Sequence, residues 1–194
     1  MRWVWVLVVV CVLMHGVGSS VYFRSEMVVN LHDVDVLLND IDESDLYHLA
    51  EMEGAPYLSV SAREPVFPVE GVVVGANKRY MVNLLVRKKS TTGPYRNVVF
   101  MVDTGSPYTF LSMAAMGSMV DDDANLPLIL NVEIQGTPPV ICHLSPPDRH
   151  FADVNLLGMD FLEMKGAHLI TDWPRKTFLL HNATSFPLAW RPTS

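Results

Sequence analysis

Cysteine is scarce in this chain of 194 residues, with only Cys11 and Cys142 present. Cys11 lies inside an apolar N-terminal run, so Cys142 stands alone once that run is set aside. An intrachain disulfide framework is therefore excluded, and Cys142 reads as a buried thiol. Lysine and arginine are missing altogether between Glu26 and Glu53. Residues 1–66 carry ten acidic and three basic side chains, which accounts for the whole net charge of −7. Residues 67–194 carry eleven of each sign and are neutral. No basic patch is large enough to suggest nucleic acid as a partner. Arg87-Lys88-Lys89 reads as a solvated hairpin end. His143, His150, His168 and His181 fall at no ligand spacing, so neither a metal nor another cofactor is expected. Asp121-Asp122-Asp123 lacks a calcium-loop pattern and reads as an acidic turn. No nucleophile-elbow motif accompanies Ser112 or Ser118. Internal repeats and low-complexity stretches are lacking too.

What is present begins with an apolar run from Trp3 to Met14 behind Arg2, followed by His15-Gly16-Val17-Gly18-Ser19-Ser20. That length suits a signal-peptide core and is short for a bilayer span. Stretched to Phe23, it also reads as an uncleaved membrane anchor. Residues 1–23 are therefore expected to be a signal peptide or anchor, possession of which would place the chain in the secretory pathway, secreted or membrane-bound. Residues 24–66 form an acidic segment or linker. Within it Leu31, Val34, Leu38 and Ile41 fall at helical spacing, although Val34, Val36 and Leu38 also alternate as in a strand. Asn182-Ala183-Thr184 is a glycosylation sequon, meaningful only in the secretory pathway.

From residue 67 onward short β-runs follow one another. Glu70–Gly75 and Tyr80–Val86 suggest a hairpin, and Leu128–Ile134 with Val140–Leu144 suggest another. Asn97–Val102 is an apolar strand that delivers Asp103-Thr104-Gly105-Ser106. A carboxylate straight after such a strand, ahead of a small-residue turn, is held at the mouth of a buried element. Thr104 can hydrogen-bond locally, and Gly105 allows close backbone approach. Further on, Val154-Asn155-Leu156-Leu157 runs into Gly158, and Met159-Asp160-Phe161-Leu162 opens a short helix. That helix, Asp160 to Lys165, is the one helix expected with a clear signal in residues 67–194, and Asp160 is expected as its N-cap.

Together the two segments resemble the active-site halves of a retropepsin-like aspartic protease, the retroviral and retrotransposon type. The first motif of that family is apolar-apolar-Asp-Thr/Ser-Gly-Ala/Ser. The second is apolar-apolar-Gly before a helix. Ala167 to Leu180 is similar to the family's closing hairpin, and the resemblance spans about residues 67–185. It implies a mostly β, single-lobe closed barrel or sandwich in residues 67–194, with one short helix after the second motif and the acidic segment ahead of it. It implies an aspartic endopeptidase whose water-activating carboxylate is Asp103. Thr104 would brace the pair of carboxylates, Gly105 would hydrogen-bond them, and Ser106 and Gly158 would line the substrate cleft. The chain holds one Asp-Thr-Gly and has no room for a second lobe, so the second carboxylate would come from a second copy across a two-fold axis. The partners implied are thus a homodimer mate and an extended peptide or protein substrate.

The chain departs from the family in two places. Ser112 to Pro127, where a glycine-rich flap would lie, is short and has one glycine. It reads either as a methionine-rich lid or as a packed helical turn. Met159 stands where many retroviral members have arginine, which removes an ion pair that supports their dimer. A catalytically inactive peptide-binding or dimerisation module on the same fold is the alternative reading. A third is a membrane-anchored interaction protein that works through its acidic segment.

Overall fold

The computed structural model describes residues 40–89, 93–120, 125–136 and 138–187, all of which belong to the unit Leu31–Ser194. The expectations for residues 1–39 (signal peptide or anchor, and the apolar stripe from Leu31 to Leu38) and for Asp121-Asp122-Asp123 lie outside the described residues. Among the described residues no helix is long and apolar enough to cross a membrane.

The long strand β2 (Arg79–Lys88) organises the sheet. Six consecutive residues, Met81 to Val86, are buried, so both faces of the strand are covered. Such a strand reads as a continuous apolar run rather than an alternating one. Its first part pairs antiparallel with β1 (Val69–Val74) on one side and with β3 (Arg96–Val102) on the other. Its last part leaves β1 and pairs with β5 (Ile129–Ile134). Because β2 meets both β3 and β5, the ring β2-β3-β7-β4-β6-β5 closes on itself. Here β4 is Thr109–Leu111, β6 is Val140–Leu144 and β7 is Asn155–Leu157. The ring is mixed, with β3 parallel to β7 and β4 parallel to β6. The closing hairpin β8 (His168–Asp172) and β9 (Thr177–His181) joins through β9 to β1. The mostly β closed barrel is as the sequence implied. Phe100, Leu84, Val86, Val98, Leu111, Val132, Ile134 and Leu157 lie in its core with essentially no exposure.

The structure adds two features to this outline. The first concerns helices. Besides α3 (Met159–Lys165) there is α2 (Met113–Gly117), capped by Ser112, whose Oγ accepts the Ala115 N–H at 3.2 Å. Ala115 and Met116 are fully buried. Met113–Gly117 is therefore a helical turn packed through Ala115 and Met116, and not an adaptable lid.

The second concerns the boundary at residue 67. Residues 40–66 are part of the same body. Helix α1 (Glu43–Met52) begins at a capping box in which Asp42 accepts the Ser44 and Asp45 amides and Asp45 accepts the Asp42 amide. Its Leu46 and Ala50 are fully buried in the core, with Ile41 and Tyr57 beside them. Asp40 is clamped by Arg79 at 2.9 Å and Asn77 at 2.7 Å, and the Arg79 guanidinium lies over the Phe151 ring. Residues 58–61 then hydrogen-bond the start of β3 through Leu58 N–H to Asn97 O and Asn97 N–H to Ser59 O. The acidic run hides this helix because its side chains supply the cap and the outer face, while its buried residues are only Leu46 and Ala50, with Leu49 partly buried beside them.

Leu46→Ala is accordingly expected to cost about 2–5 kcal/mol of unfolding free energy. Urea denaturation with an unchanged m-value would show it. A loss under about 1 kcal/mol would mean that α1 is not part of the core.

Candidate active site

Strand β3 ends by handing Asp103 to the barrel mouth. The Asp103 N–H donates to Leu157 O at 3.1 Å, so the parallel ladder with β7 runs up to the carboxylate. The Asp103 side chain is half-buried, while Thr104 and Gly105 are exposed. Asp103 Oδ1 accepts the Gly105 N–H at 2.9 Å. A Cβ on Gly105 would sit 3.2 Å from that oxygen, so glycine is what gives the carboxylate room to lie against the turn. The turn is closed by Ser106 N–H donating to Asp103 O at 3.2 Å.

The loop after the turn rests on the start of α3. Ser106 O accepts the Met159 N–H at 2.9 Å and Pro107 O accepts the Asp160 N–H at 3.2 Å. Two of the helix's unpaired N-terminal donors are met in this way. Gly158 lies directly beneath. A Cβ there would stand 2.2 Å from Tyr108 O, so no other residue allows the two backbones to pack this closely. Thr109, fully buried, locks the contact. Its hydroxyl donates to Asp160 Oδ1 at 2.6 Å and accepts the Gly158 N–H at 3.1 Å, while its own N–H donates to Asp160 Oδ2 at 3.1 Å. Asp160 is therefore a tie between β4 and α3. The N-cap position expected for it is held by Gly158, which makes no side-chain cap bond.

A second buried network supports β3 and β7 from behind. Asn155 on β7 donates through Nδ2 to Tyr57 Oη at 2.7 Å and to Val99 O at 2.9 Å, and its Oδ1 accepts the Ser112 N–H at 2.9 Å. One side chain thus ties the residues 40–66 segment to β3, β7 and the end of β4. Burial raises the Tyr57 phenol above its usual range, outweighing its bonds to Ser112 and Asn155, so the hydroxyl stays protonated. Sequence reasoning passed over Asn155, Tyr57 and Thr109. The one available signal was Asn155 itself, a polar residue inside the apolar run Val154 to Leu157.

The expected site residues thus separate. Asp103, Thr104 and Gly105 form one turn at the surface. Ser106 is buried and its hydroxyl donates to Tyr108 O at 2.7 Å, so it stiffens the loop rather than facing a cleft. Gly158 is buried as well and serves as the packing point. Asn182 lies apart, in the turn after β9, where its Oδ1 accepts from Thr184 and Ser185. Cys142 is buried, which pushes its thiol well above the usual range and leaves it unreactive. Among the described residues no group of three His, Cys, Asp or Glu side chains could hold a metal ion.

An Asp-Thr-Gly turn and an apolar-apolar-Gly helix start are thus interlocked on parallel neighbouring strands of a closed, mixed six-stranded barrel. No protein-family model and no curated protein matches the chain. Among solved structures it is similar to a retropepsin-like aspartic protease from Rickettsia conorii, at 19% identity and a TM-score of 0.41, over 63% of this chain and 98% of that one. It is also similar to an aspartic proteinase from Irpex lacteus, at 15% identity and a TM-score of 0.36, over 69% of this chain and 52% of that one. Likeness at this level carries no weight for the chemistry, which rests on the residues above.

Thr109→Val keeps the shape and removes the hydroxyl that serves both Asp160 and Gly158. It is expected to destabilise the chain by about 1–3 kcal/mol, whereas Thr109→Ser is expected to retain most of the stability. Chemical denaturation of the two variants side by side checks this, and equal losses would overturn the hydrogen-bond account.

Proposed function

We propose that the chain is an aspartic-type endopeptidase that works as a homodimer, with Asp103 of each copy forming the reactive pair. The observation that carries the reading is the Asp103 carboxylate, fixed by the Gly105 N–H on an otherwise exposed turn at the barrel mouth. The chain contains one Asp-Thr-Gly, so a pair of such carboxylates needs a second copy. The apolar run at residues 3–14 would deliver it to the secretory pathway, secreted or anchored.

Two carboxylates facing each other at short range cannot both ionise cheaply, so they share one proton; the handling of that proton is the chemistry. The ionised carboxylate takes a proton from a water held between the two. The water oxygen bonds to the carbonyl carbon of an extended peptide, and the protonated carboxylate gives its proton to the carbonyl oxygen. The tetrahedral diol collapses as the newly protonated carboxylate gives its proton to the amide nitrogen, the other carboxylate takes one from a diol hydroxyl, and the C–N bond breaks. The Gly105 N–H keeps one carboxylate oxygen in place throughout. Thr104, at the exposed crest of the same turn, would meet its mate across the axis.

The packed state of α2 favours a second reading. Ala115 and Met116 of this helix are built into the core, which shortens whatever remains to close over a substrate. A peptide-binding module without turnover would need no closure.

Full-length protein and its Asp103→Asn variant, incubated with a diverse peptide mixture between about pH 3 and pH 7, separate the two. Cleavage by the wild type, reduced about a thousandfold or more by Asp103→Asn, is expected. Equal cleavage by both proteins would overturn the assignment of Asp103. Saturable peptide binding by a dimer without cleavage would establish the module.

A further inference from the structure

Asn182-Ala183-Thr184 is the one Asn-X-Ser/Thr sequence in these 194 residues, and its middle residue is not proline. It forms the turn that follows β9, with Asn182 half-buried and Ala183 and Thr184 exposed. The fold holds this turn through the backbone of Asn182 and through one side of its amide. The Asn182 N–H donates to Ser185 Oγ at 3.0 Å, and the Asn182 carbonyl accepts the Phe186 N–H at 3.1 Å. Asn182 Oδ1 accepts the Thr184 hydroxyl at 2.9 Å and the Ser185 N–H at 2.7 Å. Asn182 Nδ2 takes no part in these bonds and reaches solvent instead.

Other asparagines are used differently. Asn155 spends its Nδ2 on Tyr57 and Val99, Asn97 on Ser59, and Asn77 on Asp40. A group attached at those nitrogens would crowd a bond that the fold relies on. At Asn182 nothing is lost, because both bonds to Oδ1 survive when a substituent replaces one hydrogen of Nδ2. The turn also stands clear of the Asp103 loop. Ala183 N–H donates to Lys165 O at 3.0 Å, so the turn rests on the C-terminal end of α3. The Asp103 loop rests on the other end, through the Met159 and Asp160 amides. Seven helical residues, about 10 Å, lie between the two.

We propose that Asn182 carries an N-linked glycan, which rests on the secretory destination proposed above for the apolar run at residues 3–14. The donor is an oligosaccharide joined to a lipid carrier through a pyrophosphate. Asn182 Nδ2 bonds to the anomeric carbon of the first sugar. The bond from that carbon to the pyrophosphate oxygen breaks, and the lipid pyrophosphate leaves. One amide proton passes to a base of the transferase, and nothing is oxidised or reduced. The product is a bulky, solvated group on the turn after β9, at the opposite end of α3 from the Asp103 loop.

The test is expression of the full-length chain in secreting eukaryotic cells, followed by peptide-N-glycosidase digestion and mass spectrometry of the peptide that contains residue 182. The wild type is expected to shift by one step of gel mobility on digestion and to show aspartate at position 182 afterwards. Asn182→Gln is expected to carry no glycan. Thr184→Ala keeps the asparagine and its bond from Ser185, and it is expected to carry none either, whereas Thr184→Ser keeps the glycan. Lys89→Asn, at an exposed position ahead of Ser90 and Thr91, makes a second acceptor sequence and reports whether the chain reaches the lumen. Glycan at position 89 of that variant and none at Asn182 would overturn the assignment of Asn182 while leaving secretory delivery intact. Glycan at neither position would overturn both. A glycan that survives Thr184→Ala would also overturn the proposal. The peptide-cleavage comparison of wild type and Asp103→Asn is independent of all three outcomes.

Discussion

The close approach of Gly158 to the Tyr108 carbonyl is the constraint on which the site depends. It is possible only because no side chain occupies the space, and it brings two segments about fifty residues apart into backbone contact. Once they touch, the buried hydroxyl of Thr109 lies within reach of both the Gly158 amide and the Asp160 carboxylate. The first amides of α3 then fall under the Ser106 and Pro107 carbonyls. Thr109 and Gly158 are withdrawn from water, so the bond between them is stronger than its surface equivalent, and losing it leaves a buried partner unmet. The 103–108 loop has few bonds of its own. Its shape is imposed by the strand end and the helix start beneath it, and this is how a flexible tetrapeptide becomes a fixed holder for a carboxylate.

Rigidity at that point also requires that β3 and β7 not slide. Their pairing is a short parallel ladder from Phe100↔Asn155 to Val102↔Leu157, and three steps alone would hold it weakly. Asn155 pins it at the far end, and the residues 40–66 segment supplies Tyr57 to complete the pin. That segment is held in turn by the largely buried Asp40–Arg79 pair, with side-chain exposures of 16% and 13%. Removing one member would strand a charge away from water. The Asp172–Arg175 pair at the surface, with Arg175 at 81% exposure, has no such leverage.

The sequence disclosed the parts of this design that are local and repeatable. The strand that delivers Asp103, the glycine ahead of α3 and the closing hairpin all announce themselves by apolar runs and turn residues. So does the β5–β6 hairpin. Three things were not legible. Helix α1 was masked by its own acidic capping box, since Asp42 and Asp45 read as a charged linker when their backbone partners are unseen. The packed state of Met116 was left open because methionine suits a lid and a core equally by composition. The roles of Asp160, Asn155 and Tyr57 are non-local. Asp160 looks like an N-cap from its neighbours, and only the arrival of Thr109 from another strand turns it into a tie.

The exposure of the Asp103 turn carries a further consequence. Thr104 and Gly105 stand at the crest of the first motif, and their flanks are apolar: Tyr108 is 54% exposed, and Met159, at the start of α3, is 42% exposed. Large apolar side chains beside an exposed turn are poorly placed for a carboxylate that must hold a water and manage one proton, because bulk solvent would screen the field of that carboxylate. The same side chains are well placed if another surface covers them, since covering each removes apolar area at about 25 cal/mol per Å² and dries the carboxylate in the same step. On the proposed reading, dimerisation and activation would be one event. The second copy would supply the other carboxylate, exclude water from both, and draw its stability from the apolar flanks that the isolated chain leaves open.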